Sequence, residues 1–403
     1  LILGVGLLLL WSSFIVSIAL MLWIAQKNLW LGLFVGAFLL GIFNLPLAGL
    51  ARVGLTVMTD ASILLLGLAV GIIPLIGAVL SKSGLMDELL GALRMRSRHF
   101  LMIAPAFLGM LPMPGGALLS APIVAKVGDG VTNRDYAAIN VWFRHVLVMI
   151  YPLGGLLATS KMAQMNVYTE MVILIPAFLI MTALGYLFLL RPVDRDMMLS
   201  GKYDGRKIAV PLIIIISAPV IHLTLMSLFP RFIPEIPLVI GVTVSLLAGL
   251  FLGNICPSEF AWLFLATKPW RYFLIIIGMF AFLRVFEKSA VTSAIAALHF
   301  SPTVLVVGVG FLLGALTGRA QLAFSLLLPI YYAKFGASSL TPVVFAIMYF
   351  SNFMGYLMSP IHPCILMTLE YFQTDLRSFY RHVAAPFVIT FLLLWMASWL
   401  IQG

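Results

Sequence analysis

The chain has 403 residues, of which 63% are hydrophobic and only 9% charged. Soluble domains carry roughly 25% charged residues, so a water-soluble protein of this size is excluded, and a mean hydropathy of +1.13 describes residues that face lipid. The formal net charge of +10 does not point to nucleic acid, because the basic residues are scattered through short loops and form no continuous stripe.

A helical crossing needs about 20 apolar residues. Apolar runs between charges and Pro/Gly breaks predict crossings near 3–24, 29–50, 61–81, 136–160 and 169–190, then near 208–229, 234–253, 270–287, 341–366 and 381–401. The fold class expected is an all-α polytopic membrane protein of about ten transmembrane helices. The first run passes into Lys27 without a small-residue cleavage site and reads as a retained span. Ser83 to Arg94 reads as an amphipathic interfacial helix. Two stretches, 99–127 and 301–334, each contain two arms of about 12 residues around a Gly/Pro-rich tip. Such arms reach half-way across a bilayer, so both stretches are expected to be re-entrant hairpins. The polar segment 191–207 is the linker between a first half, 1–190, and a second, 208–403.

Charge supports this topology. One side holds 16 of the 24 Lys and Arg, including Arg94, Arg96, Arg98, Lys202, Arg206 and Lys207, and the other holds Arg52, Lys161, Arg231, Lys288 and Lys334. The basic side is expected to be cytoplasmic, with both termini outside. The two halves also repeat. Ala125-Lys126-Val127-Gly128 returns as Ala333-Lys334-Phe335-Gly336, Pro152 meets Pro360, and Arg144 meets Asn352 at the same offset. Each half crosses an odd number of times, so the repeats are expected to be inverted, the arrangement of secondary transporters.

Four breaks supply the candidate site. The first tip runs through Pro112, Pro114, Gly115, Gly116 and Ser120, and the second through Thr317, Gly318, Arg319 and Gln321. The broken spans are interrupted at Pro152 and Gly154 and at Ser359 and Pro360. Irregular backbone at membrane depth survives only inside protein or beside a cavity. Helix N-termini there attract anions and C-termini attract cations. Arg319 is costly to bury without a partner, yet no Asp or Glu lies in either tip or broken span. An external carboxylate, gripped bidentately, is the expected partner, with Arg144 as a second contact and Asn352 beside it. A sodium ion is expected near Gly115, Thr317, Asn352 and Ser359, with a proton as the other coupling ion. Arg284 and Glu287 are expected to pair along one helix. His145 and His362 read as packing residues or proton carriers, and Cys256 and Cys364 show neither a disulfide framework nor metal-ligand spacing.

The hairpin Pro112-Met113-Pro114-Gly115-Gly116-Ala117, with Ser120-Ala121-Pro122, resembles an uncharacterised prokaryotic membrane family of the ion-transporter superfamily, related to divalent-anion/sodium symporters and gluconate-type permeases. The resemblance implies a dimerising scaffold domain, a transport domain that moves as an elevator, and substrate held at the tips and broken helices. Dicarboxylate members carry Ser-Asn-Thr at these tips, where this chain has Pro112 to Gly116 and Thr317-Gly318-Arg319, so the resemblance names no substrate. The expected function is secondary transport of a small organic anion, with a cation/proton antiporter or inorganic-ion carrier as the alternative. An enzyme is not expected: there is no cofactor motif, no His-Glu-x-x-His, no Gly-x-Ser-x-Gly and no paired intramembrane aspartate.

Overall fold

The computed structural model describes residues 2–92, 95–110, 116–125, 131–191, 193, 204–299 and 301–402. Among them the secondary structure is helical throughout, without a strand. The first half holds α1 (Ile2–Lys27), α2 (Leu29–Asn44), α3 (Leu47–Thr59), α4 (Ala61–Lys82), α5 (Leu85–Ala92), α6 (Ser97–Gly109), α7 (Gly116–Ala125), α8 (Asn133–Ile150), α9 (Gly155–Met162), α10 (Val167–Ile173) and α11 (Ile175–Gly185, continued by a π-helical turn to Leu190). The second half holds α12 (Gly205–Leu228), α13 (Glu235–Leu252), α14 (Pro257–Thr267), α15 (Pro269–Lys288), α16 (Val291–Ala296), α17 (Gly310–Thr317, preceded by a π-helical turn from Val304), α18 (Ala320–Phe335), α19 (Pro342–Leu357), α20 (Pro363–Tyr371) and α21 (Leu376–Gln402).

Among the described residues six helices are long and apolar enough to cross a membrane, or up to eight spans if each bent pair is counted as one. That is fewer than the ten expected, because α2 and α19 have 16 residues each, short of the roughly 20 a crossing needs. The run 29–50 does not continue as one helix. The chain leaves it at Leu45-Pro46, since proline offers no donor and forces the preceding residue out of the helical region, and the amphipathic α3 follows. Residues 257–267, read as loop from sequence, form α14. Near Pro176 the span 169–190 bends by 44° between α10 and α11. The helix expected from 208 begins at Gly205, because Asp204 caps α12 through the Arg206 and Lys207 amides. The apolar face of α5 (Met86, Leu89, Leu90) is buried and α5 packs on α12, so this helix lies on protein.

Two groups of helices meet. In one, α1 packs on α2, α12 on α13, and α4 and α15 on each other and on α13 and α2. In the other, α6 packs on α7 and α8, and α17 on α18 and α19, while α7 lies against α20 and α9 against α18. Their outer members are bare: 17% of the window in Leu9–Lys27 and 22% of that in α21 is buried inside the protein, against 72% for α4. Such apolar, exposed outer faces around a buried centre are compatible with a multi-pass membrane protein.

Glycines set the distance between the arms and the broken helices. A Cβ at Gly109 would overlap the Arg144 carbonyl, and one at Gly314 would overlap the Asn352 carbonyl. Backbones in contact at this range are the small-residue packing of membrane helices. A Leu side chain at Gly314 therefore has nowhere to go. Gly314→Leu is expected to lower the melting temperature of the purified protein by the equivalent of about 3 kcal/mol or more, while Gly54→Ala, with open space around it, should change stability by no more than about 1 kcal/mol, in the stabilising direction. Equal behaviour of the two variants in a thermal melt would contradict this packing.

Candidate functional site

Local chemistry fixes where each break falls. Thr132 and Asp135 form a capping box that starts α8, and Tyr151 leaves it in an extended conformation because Pro152 follows. The chain turns and re-enters as α9 at Gly155, bent by 42° from α8. Thr341 caps α19, whose first residue is Pro342, and α20 begins at Pro363 after the turn at 358–362. Gly318 ends α17 with φ +59°, its amide donating to the Gly314 carbonyl. Arg319 is then extended and α18 starts at Ala320.

These breaks converge on one cavity of about 510 Å³, where the two helix groups meet. Four helices begin at its wall, marked by Ala117 of α7, Gly155 of α9, Ala320 of α18 and Pro363 of α20. Arg144 and Arg319 line it together with Gln321, Tyr272, Tyr349 and Tyr356, and no carboxylate is among its lining residues. From the other helix group α4 contributes Val70, Ile73 and Pro74. Each helix start leaves N–H groups without intrahelical acceptors and carries the positive end of the helix dipole. The cavity is thus positive on several sides and offers donors in excess of acceptors.

Of the residues expected from sequence, Arg144, Gly154, Arg319 and Gln321 line this cavity. Ser120 sits just behind, its hydroxyl 3.4 Å from Arg144 Nη1, and Gly116 starts α7 beside the lining Ala117. Thr317, Gly318 and Ser359 gather at the C-terminus of α17: Thr317 Oγ1 accepts from the Arg319 amide at 3.3 Å and Ser359 Oγ donates to the Ala315 carbonyl at 2.6 Å. Asn352 is fully buried one helix away, and neither amide atom has a partner. Pro152 is buried in its turn and Pro360 is exposed, and neither is among the residues lining the cavity. Pro114 and Gly115 lie outside the described residues.

Sequence reasoning missed what the other break places here. His145, His362 and Cys364 approach so closely that one ligand atom from each lies within 4.8 Å of the others. The rings of His145 and His362 are 4.7 Å apart, and Tyr356 covers His362 at 4.1 Å. The only sequence signal was His362-Pro363-Cys364 at the start of a helix, and its third member lies in the other half of the chain.

A second cavity, of about 520 Å³, follows the first along α4, α9 and α15, lined by Asp60, Ile63 and Leu66 of the first, Leu157 and Lys161 of the second, and Arg284 and Glu287 of the third. Arg284 and Glu287 do not make the ion pair expected of them. The ion pair at this cavity is Lys161 to Glu235 at 2.6 Å, with Ser62 donating to the same carboxylate at 2.8 Å. Glu235 is the residue that burial calls on, because a carboxylate with 4% exposure needs a charged partner. Glu170 of α10 is also fully buried, with neither carboxylate oxygen hydrogen-bonded.

A family model described as a protein of unknown function (DUF401) matches residues 5–401. The chain belongs to this family. The match runs through every break and both cavities. No curated protein matches the chain.

Across the cavity wall, the Tyr349 hydroxyl donates to the Met149 carbonyl at 3.2 Å, one of the acceptors that the end of α8 leaves open. Tyr349→Phe is expected to cost about 1 kcal/mol or more of stability, since a buried carbonyl loses its donor. A thermal melt checks this, and an unchanged midpoint would mean that the carbonyl has another donor.

Proposed function

We propose that the protein is a secondary transporter of a small organic anion, a carboxylate in the first instance, and that the arginine-lined cavity is its substrate site. One observation carries this: four helix N-termini and two arginines meet at a cavity whose lining holds no carboxylate. A carboxylate fits that excess of donors as it fits the N-terminus of any helix, and each guanidinium offers paired N–H donors to it.

We read the chain as an inverted repeat of the ion-transporter superfamily, and the spacing of its helices supports the repeat. The starts of α4 and α15 are 208 residues apart (61 and 269), as are those of α9 and α20 (155 and 363). The Gly109 contact with Arg144 has its counterpart in Gly314 with Asn352. The contacts of α7 with α20 and of α9 with α18 exchange the halves symmetrically. On this account α1, α2, α4, α12, α13 and α15 form a scaffold, through which the protein dimerises in the inner membrane. The hairpins and broken helices form the part that moves as an elevator. The second cavity, which lies along the same three helices as the first, is on this account an aqueous approach from the outer side.

Sodium is the coupling ion favoured by the C-terminus of α17, the negative end of that helix, where the Thr317 and Ser359 hydroxyls donate to the Arg319 and Ala315 carbonyls and the unpaired amide of Asn352 belongs to the facing helix. Cation/proton exchange on the same fold is the alternative, and Glu170 favours it, because a fully buried and unpaired carboxylate suits a proton carrier.

Purified protein melted in the presence of small carboxylates, with sodium or potassium and at two pH values, separates these. Stabilisation by one carboxylate, growing with its concentration by mass action, is expected for the wild type. Arg319→Gln should weaken it at least about tenfold, because a hydrogen bond to a charged group is worth about 1.5–3 kcal/mol. Undiminished affinity in Arg319→Gln and in Arg144→Gln would remove both arginines from the site. A melt that responds only to cations and pH would favour the exchanger.

A further inference from the structure

We propose that His145, His362 and Cys364 form a binding site for a soft monovalent metal ion of the Cu+ class, set into the wall of the anion cavity. It goes beyond the transport reading and does not depend on it.

The geometry is that of a ligand set. One nitrogen from each imidazole and the Cys364 sulfur lie within 4.8 Å of one another, so one ion at their centre reaches all three after sub-ångström adjustments. The donors come from different helices, His145 from α8 and His362 and Cys364 from the start of α20, and the packing of α8 on α20 holds them together.

His145 is oriented as metal-bound histidines are. Its Nδ1 lies 2.6 Å from the Val141 carbonyl. A carbonyl only accepts, so Nδ1 carries the proton and Nε2 presents a lone pair. A backbone carbonyl on the far nitrogen is the usual outer-shell support for a ligating imidazole. That Nε2 accepts from the Tyr356 hydroxyl at 3.3 Å, a long hydrogen bond that the metal would replace. His362 is the second, independent observation. It is 1% exposed, and neither ring nitrogen makes a well-formed hydrogen bond, the contact with the Leu357 backbone being marginal. A buried imidazole so weakly partnered loses hydration, which a metal bond restores.

Charge selects the ion. Arg144 lies beside the Cys364 sulfur and Arg319 lines the same cavity, and no carboxylate is among the lining residues to offset a dication. Binding replaces the thiol proton, which leaves to water, by the metal. One thiolate and two neutral imidazoles with Cu+ give a neutral set, whereas Zn2+ would leave a positive charge against a guanidinium. Softness points the same way: thiolate and thioether donors favour Cu+. Met367, one turn beyond Cys364 on α20, also lines this cavity and adds a thioether.

The test uses the full chain, purified in detergent, loaded anaerobically with Cu+ and challenged with a chromophoric Cu+ chelator. X-ray absorption reads the ligands of the retained ion. The expected result is one Cu+ per chain, bound by sulfur and two imidazoles and not displaced by Zn2+. Cys364→Ser and His362→Gln should each weaken retention at least about tenfold, the effect already seen when only outer-shell partners of a metal are lost. Cys256→Ser, which alters the exposed cysteine, should leave retention unchanged. The proposal is overturned if the folded wild type holds no Cu+, or if its bound ion shows no imidazole or no sulfur ligand. It is overturned equally if both site variants retain the ion as the wild type does, or if Cys256→Ser loses it. The wild-type spectrum decides the matter even where a variant does not fold.

Discussion

Helix starts inside an apolar protein are the constraint on which the rest of this structure depends. An unpaired N–H in a medium without water costs several kcal/mol. A chain that begins α7, α9, α18 and α20 in its interior must therefore gather those ends where something accepts from them. They are gathered at one cavity. Because the same wall holds Arg144 and Arg319, the side chains add to the surplus of donors instead of cancelling it. Apolar walls from α4 and α15 keep the local dielectric low and the field strong. An anion is the complement we propose for this arrangement.

Holding four ends at one place requires that the helices around them come unusually close. Glycine supplies the approach where α6 meets α8 and α17 meets α19. Side chains then tie the broken segments across the two halves. Tyr349 donates to the Met149 carbonyl, and Asn140 donates to Thr368 at 3.0 Å. The cavity thus belongs to neither half alone. The same crossing of halves brings His145 to His362 and Cys364, which share a wall with the arginines yet offer soft, neutral donors in place of cationic ones.

Much of this was legible in the sequence because proline and glycine act through the backbone. Pro152, Pro363 and Gly318 end or start helices wherever the fold places them, so the breaks were found and Arg144, Arg319 and Gln321 were put beside them. What depended on lateral packing was not legible. Helices α3 and α14 are short, with Val53 and Val57 of α3 buried and Thr56 exposed, and hydropathy alone cannot separate such a helix from a span end or a loop. Pro360 was expected at the cavity because the break at Ser359-Pro360 repeats the one at Pro152, but it is exposed and, like Pro152, does not line the cavity. Arg284 and Glu287 are neighbours on one helix face. The pairing of charges at that cavity was instead set by burial of Glu235 on α13 and by Lys161 on α9. The His/Cys cluster left no spacing signal because its members come from different halves of the chain.

Binding of an anion to this cavity and its passage through the protein are separate claims, and the second is central. The measurement that tests it is counterflow in proteoliposomes containing the purified full chain, preloaded with the carboxylate that stabilises it and given trace labelled carboxylate outside. Saturable accumulation of label, dependent on the internal load and abolished in Arg319→Gln, is the predicted result. Label that fails to accumulate while the same carboxylate still stabilises the protein, or accumulation that survives in Arg319→Gln, would contradict the account.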